Sequence, residues 1–99
     1  MTEAELLAEV TAAADERGLL WHHCDDSRRC SGPRGFLDLV LVGPDGKVML
    51  AELKGEDGET SANQDAWIWR LHEGGTAYAV WHPSDWRSGM IQAALDRLK

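Results

Sequence analysis

No stretch of this sequence stays apolar for the roughly 18 residues that a helix needs to cross a bilayer. The first ten residues, MTEAELLAEV, are acidic and amphipathic, which is not the pattern of a secretory signal. Internal repeats, low-complexity tracts and linker-like segments are missing as well. We therefore expect one cytoplasmic domain over residues 1–99, with no membrane as a partner.

Cysteine and basic residues are scarce. Cys24 and Cys30 are the two cysteines, and in a cytosolic protein we expect free thiols rather than a disulfide. The chain has ten Lys and Arg residues and seventeen Asp and Glu residues, which gives a net charge of −7. Such a balance argues against a protein that coats nucleic acid through bulk positive potential. The hydrophobic content of 43% is typical of a globular domain and excludes a disordered tail.

The spacing of apolar residues predicts an α/β fold with the element order α-β-β-β-α-β-α. The predicted elements are a helix over residues 3–17, a strand over 19–23, two strands on either side of residues 43–47, a helix from Thr60 or Ser61 to Gly74, a strand over 76–81 and a last helix carrying Met90, Ile91, Ala94, Leu95 and Leu98. Residues 24–35 and the segment HPSD, 82–85, are expected to be loops.

A hairpin connects the two central strands. Gly43-Pro44-Asp45-Gly46-Lys47 fits a three-residue loop, with Gly46 in the left-handed bulge position. This geometry predicts the cross-strand pairs Val42–Val48, Val40–Leu50 and Asp38–Glu52, all on one face, which Lys54 joins. The opposite face is also apolar, so the sheet should lie between two helical layers, with the charges at its covered end.

Two carboxylates on opposed strand positions, ~5 Å apart, repel by roughly 3 kcal/mol at an effective dielectric of about 20. The pair needs a positive partner, either Lys54 or a divalent cation bound by carboxylate oxygens. A Glu-Lys pair that simply ends a strand is the alternative, since a three-residue pattern is common. An aspartate, a hairpin and Glu-x-Lys in one register favour a functional site.

Four segments occur in an order that resembles the VRR-NUC domain, a branch of the PD-(D/E)xK nuclease superfamily. They are HHCDDSRR, GFLDLVLV, AELKGEDGETSANQ and WHPSDW, and the resemblance extends from about Trp21 to Trp86. It implies a restriction-endonuclease-like αβββαβ core with a mixed central sheet flanked by helices. It also implies hydrolysis of DNA phosphodiester bonds with Mg²⁺ or Mn²⁺. Stand-alone domains of this size resemble junction-resolving enzymes, which implies a homodimer acting on branched DNA in a bacterial or phage system.

The resemblance assigns roles residue by residue. Asp38 and Glu52 correspond to the metal-binding carboxylates, and the backbone carbonyl of Leu53 to a further metal ligand. Lys54 corresponds to the catalytic lysine, and Gln64 to the motif glutamine. Independently of the resemblance, Ser61-x-x-Gln64 is a helix capping box, which alone would explain the glutamine.

One further site residue is assigned by position only, and one residue departs from the family pattern. A first-helix glutamate usually completes the acidic site, and by position we favour Glu3, with Glu5 and Glu9 as alternatives. Leu37 stands where the family usually has proline, which removes a rigid backbone position just before Asp38.

The arginines of one loop, Arg28, Arg29 and Arg34, are candidates for phosphate contact beside the acidic site. His23 matches the family pattern at the end of the first strand and is a further candidate for DNA binding. The alternative for each is a solvated loop residue or a structural histidine.

Two other functions remain open at this stage. The chain could be a non-catalytic nucleic-acid-binding or regulatory module with the same fold, although Asp38, Glu52 and Lys54 are all present. It could also be a metal-binding interaction domain that uses His22, His23 and the cysteines, but these lack the spacing of a structural zinc site.

Overall fold

The computed structural model describes residues 1–24 and 30–99. Its elements are α1 (Glu3–Glu16), β1 (Leu20–His23), β2 (Leu39–Val42), β3 (Val48–Leu53), α2 (Ala62–Glu73), β4 (Ala77–Trp81), α3 (Pro83–Arg87) and α4 (Met90–Asp96). The strands form one sheet in the order β1-β2-β3-β4. β1, β2 and β3 pair antiparallel, whereas β4 pairs parallel with β3. The predicted α/β class, with a mixed sheet between helices, is confirmed.

The hairpin between β2 and β3 has the register that its turn predicts. Val42 pairs with Val48 and Val40 with Leu50, as expected from the three-residue loop. The N–H of Gly43 donates to the carbonyl of Lys47 at 2.9 Å, and Gly46 has φ of 83°. The turn chemistry therefore fixes which residues of the two strands share a face.

The ladder between these strands ends one pair earlier than predicted. Its last pair is Leu39–Ala51, so the predicted register is correct, but Asp38 and Glu52 lie just beyond the paired residues. Instead, Oδ2 of Asp38 accepts a hydrogen bond of 2.9 Å from the N–H of Leu53. A side-chain carboxylate thus takes the place of a backbone acceptor, because Asp38 bends away from the strand direction.

The main core lies on the sheet face that carries Leu39, Leu41, Met49, Ala51 and Leu53. Helices α1 and α4 cover this face with a buried stripe comprising Leu6, Val10, Ala13, Ala14, Ile91, Ala94 and Leu95. No helix among the described residues has both the length and the apolar content to cross a membrane.

Among the residues that the structure describes, the other sheet face is covered at the end where the charges lie and open towards the hairpin. Helix α2 packs there, and Glu52 is 2% exposed. Towards the hairpin the same face carries Val48, which is 43% exposed, and Leu20, which is 74% exposed. The predicted cover on both faces is therefore correct for the charged end and wrong for the hairpin end. The alternation of apolar residues predicts which side chains share a face of the sheet. It does not predict how much of that face a helix covers.

Helix α3 was predicted as part of a loop. Pro83 starts the helix, where its fixed φ and missing N–H are tolerated. The carboxylate of Asp85 accepts a hydrogen bond of 2.8 Å from the N–H of His82. The helix therefore begins inside the segment HPSD. The five residues of α3 are too few for apolar periodicity to indicate a helix.

Cys24 and Cys30 are joined in a disulfide, with their Cα atoms 6.6 Å apart. The prediction of free thiols was wrong. It was drawn from the redox compartment, which says nothing about how closely a short loop brings its two ends together.

Candidate active site

Asp38 and Glu52 meet at the end of the sheet where β3 passes into the loop before α2. The bond between the Asp38 carboxylate and the N–H of Leu53 holds the aspartate beside the last residues of β3. Glu52 is the buried charged residue among the described part of the chain. Strand pairing and this side-chain bond together bring two carboxylates into one covered position.

Helix α1 brings a third carboxylate to the same place. Carboxylate oxygens of Glu3, Asp38 and Glu52 all lie within 4.8 Å of one another. Glu5, one of the alternatives, is instead used at the helix start, where its side chain accepts the N–H of Thr2 at 3.1 Å. Glu5 is therefore engaged in the capping box, and Glu3 is the α1 glutamate in the acidic cluster.

The acidic cluster is electrostatically unfavourable without a cation. Burial is the largest cause that raises the pKa of Glu52 to about 8; the hydrogen bond and charge of Asp38 act in the same direction, and the Lys54 ammonium acts in the opposite direction. Oε2 of Glu52 is buried and has no hydrogen-bond partner among the described residues. A buried acceptor of this kind costs about 1–3 kcal/mol unless a partner is supplied.

These three residues fit a small divalent cation. Carboxylate oxygens are the ligand atoms that Mg²⁺ prefers, and the three side chains would supply them from three different elements or loops. The oxygens of the cluster lie within 4.8 Å of one another, and the unpaired Oε2 of Glu52 is one candidate ligand atom. The donor set contains no sulfur or imidazole, so it favours Mg²⁺ or Mn²⁺ over zinc.

Lys54 lies at the edge of the cluster. Its Nζ is 3.6 Å from Oε1 of Glu52, and its side chain is 18% exposed. Its backbone N–H donates to the carbonyl of Trp81 at 2.9 Å, which continues the pairing of β3 with β4 beyond the strand end. The ammonium group is thus held beside the carboxylates but remains open to a ligand from solvent.

Gln64 caps the start of α2 and also contacts Glu52. Its Oε1 accepts the N–H of Ser61 at 2.9 Å, and its backbone N–H donates to the Ser61 hydroxyl. Its Nε2 donates to Oε1 of Glu52 at 2.8 Å. The capping box therefore fixes the amide so that its other end reaches the acidic cluster.

A comparison with solved structures decides the fold. A structure described as a VRR_NUC domain superposes with a TM-score of 0.66, covering 81% of this chain and 84% of the other, at 20% sequence identity. This chain has the fold of a VRR_NUC domain. No protein-family model and no curated protein sequence matches the chain. The resemblance inferred from the sequence motifs is therefore confirmed at the level of the fold.

Gly35 is a residue beside the acidic cluster that sequence reasoning did not single out. It has φ of 94°, and a Cβ at this position would lie 2.3 Å from the carbonyl carbon of Asn63 and 2.7 Å from the backbone nitrogen of Gln64. The loop before Asp38 therefore lies directly against the first turn of α2. The glycine of the motif Gly-Phe-Leu-Asp was the available signal, since glycine often marks a close backbone approach.

The remaining site predictions fall around this centre. Arg34 is exposed, and its carbonyl accepts the indole N–H of Trp67 at 2.9 Å, which ties its loop to α2. His23 ends β1 and lies across from Leu39, the residue after Asp38. Arg28 and Arg29 lie outside the described residues. The DNA-binding roles of these residues, and the metal-binding role of the Leu53 carbonyl, stay predictions.

Proposed function

We propose that this protein is a metal-dependent nuclease that hydrolyses phosphodiester bonds in DNA. The observation that supports it most directly is the buried, unpaired Oε2 of Glu52 within a group of three carboxylates, with an ammonium group beside them. A VRR_NUC fold without such a centre would support no more than a binding module. Here the acids and the lysine occupy one end of the sheet.

In this proposal, Glu3, Asp38 and Glu52 hold Mg²⁺ or Mn²⁺, and the carbonyl of Leu53 is a further ligand. A divalent cation in such a position polarises a phosphoryl oxygen and lowers the pKa of water. Gln64 keeps one oxygen of Glu52 in a hydrogen bond and leaves the other directed to the cation.

Lys54 supplies positive charge next to the carboxylates. Its Nζ is close enough to Glu52 to be oriented by it, yet it is partly exposed. A scissile phosphate bound at the cluster would place its oxygens near this ammonium group. Lys54 would then stabilise the negative charge that develops on phosphoryl oxygens in the transition state.

The proposed substrate is branched DNA, and the proposed assembly is a homodimer. One chain offers one acidic centre, so cutting two strands of a junction needs two copies. Arg34 would contact backbone phosphates beside the centre, and Arg28, Arg29 and His23 would extend that contact. Local positive charge is required, because the net charge of −7 repels DNA elsewhere on the surface.

The test is a cleavage assay with Mg²⁺ or Mn²⁺ on four-way junctions, flaps, linear duplexes, single strands and RNA of matched sequence. We expect metal-dependent cleavage of branched DNA that is lost in Lys54→Ala. The matched control is Lys99→Ala, which removes an exposed lysine paired with Asp96 and should cleave like the wild type.

Two outcomes would contradict the proposal. Equal cleavage by the wild type and Lys54→Ala would indicate a contaminating nuclease. DNA binding without cleavage of any substrate, with Mg²⁺ bound, would indicate a non-catalytic module. Cleavage of RNA alone would support metal-dependent phosphodiester hydrolysis but would show that the substrate is RNA and not DNA.

A further inference from the structure

We propose that His82 is a positioning residue for Lys54, acting through the backbone of Gly58; this inference depends on the proposed function for its catalytic consequence. Lys54 and His82 are the first residues beyond the paired ends of two parallel strands, since Leu53 pairs with Trp81. They therefore leave the sheet side by side at the same edge. Lys54 is anchored there by its N–H, which donates to the Trp81 carbonyl.

The loop after Lys54 turns back onto the lysine. Gly58 closes a turn by donating its N–H to the carbonyl of Gly55 at 3.1 Å. A Cβ added at Gly58 would lie 3.1 Å from Cβ of Lys54, so the backbone of Gly58 is packed against the base of the lysine side chain. The position of Gly58 thus limits where the lysine side chain can go.

His82 holds Gly58 in this position. Its Nε2 lies 2.8 Å from the carbonyl oxygen of Gly58. A carbonyl oxygen can only accept, so Nε2 carries the proton and donates it. The backbone N–H of His82 is fixed in turn by Asp85 at 2.8 Å. A second tie, the ion pair of Arg87 with Glu56, joins the same loop to α3.

These contacts give helix α3 a role that the sequence did not indicate. The loop carries Lys54 at one end and the cap of α2, with Gln64, near the other. Two contacts from α3 and its cap hold the middle of that loop. Two contacts therefore position the Lys54 side chain. One is the bond of the Lys54 N–H to the Trp81 carbonyl, and the other is the packing of Gly58, which His82 holds in place.

The test compares His82→Ala and His82→Gln with the matched control His72→Ala, a histidine that contacts Tyr78 away from this loop. We expect His82→Ala to lower kcat about 10- to 100-fold with little change in KM or Mn²⁺ affinity, because a small displacement of a catalytic group has effects of this size. His82→Gln, whose amide can donate to the same carbonyl, should recover most of the loss. His72→Ala should match the wild type. Gly58→Ala, which crowds the lysine directly, should resemble His82→Ala.

A second readout is independent of activity. The chain has three lysines, Lys47, Lys54 and Lys99, so ¹³C-lysine NMR can follow each side chain. His82→Ala should shift or broaden the Lys54 signals alone, and His82→Gln should restore them. Unchanged Lys54 signals and unchanged kcat in a folded His82→Ala variant would overturn the inference. An inactive wild type would contradict the proposed function, while the NMR result would still decide this inference.

Discussion

Gln64 and Glu52 are joined by a hydrogen bond of 2.8 Å that connects the first turn of α2 to the end of β3. The same amide accepts the N–H of Ser61, so both ends of one side chain are used. One side chain therefore connects the start of α2 to the acidic cluster. Any change at Gln64 alters both, and the two effects can be separated by choice of variant.

We predict that Gln64→Ala lowers Mn²⁺ affinity about tenfold, because a residue that orients a metal ligand typically contributes 10- to 100-fold. Gln64→Glu should also change the Mn²⁺ affinity, because the glutamate keeps the oxygen that accepts the Ser61 N–H but loses the N–H that donates to Glu52. Ser61→Ala is the control. It removes the cap hydroxyl at a cost of about 0.5–2 kcal/mol in unfolding free energy and should leave Mn²⁺ affinity unchanged. Calorimetric titration measures the Mn²⁺ affinity, and thermal unfolding measures the stability. A reduced Mn²⁺ affinity in Ser61→Ala would show that the affinity depends on the helix cap and not on the Gln64 amide.

The close approach of Gly35 to α2 leads to a stability prediction. Gly35→Ala combines a positive φ with a Cβ 2.3 Å from the backbone of Asn63. Gly75→Ala has a similar φ, 75°, and no atom of the described residues lies within 4 Å of the added Cβ. The difference in unfolding free energy between these variants should be about 1–3 kcal/mol, the cost of overpacking. Equal destabilisation in urea unfolding would mean that the loop moves away from α2 without cost.

The buried carboxylate predicts an unusual pH dependence for the metal-free protein. The pKa of Glu52 is near 4.5 when unfolded and about 8 when folded, so the folded state binds its proton more tightly. The stabilisation from this group is complete below about pH 4.5 and is lost as the pH rises through about 8. With EDTA present, the wild type should lose stability between pH 5 and pH 9 relative to Glu52→Gln. Identical pH profiles of Tm for the two proteins would contradict this assignment, and Mg²⁺ at pH 9 should restore the wild type.

The proposed role of Arg34 predicts a salt dependence. Each phosphate contact contributes about −0.9 to the slope of log K against log salt, so Arg34→Ala should make the slope for DNA binding about one unit shallower. Arg70→Ala, an exposed arginine in the last turn of α2, is the matched control and should leave the slope unchanged. Fluorescence anisotropy with Ca²⁺ in place of Mg²⁺ measures binding without cleavage. An unchanged slope in Arg34→Ala would remove this residue from the interface.

Local chemistry made the hairpin and its register predictable. Pro44, Asp45 and Gly46 define a loop length, and the loop length fixes the pairing of Val42 with Val48. The location of the acidic pair at the sheet end follows from that register. The choice of Glu3 over Glu5 and Glu9 followed from position alone, and in the structure Glu5 is used by the capping box instead.

Features that depend on contacts between distant segments could not be predicted in this way. The approach of Gly35 to Asn63 and the bond of His82 to Gly58 join segments that are 28 and 24 residues apart in the chain. The strand start at Leu39 depends on Asp38 turning its carboxylate to the N–H of Leu53. Periodicity describes one element at a time, so it gives no information on such contacts.

We propose that Glu3, Asp38 and Glu52 together bind a divalent cation, and electron paramagnetic resonance of Mn²⁺ measures that binding. We expect saturable binding to the wild type, a loss of at least about tenfold in affinity for Asp38→Asn, and no change for Asp45→Asn, which removes an exposed acid of the hairpin turn. Mn²⁺ binding of equal strength in Asp38→Asn and the wild type, or no binding at all, would contradict it.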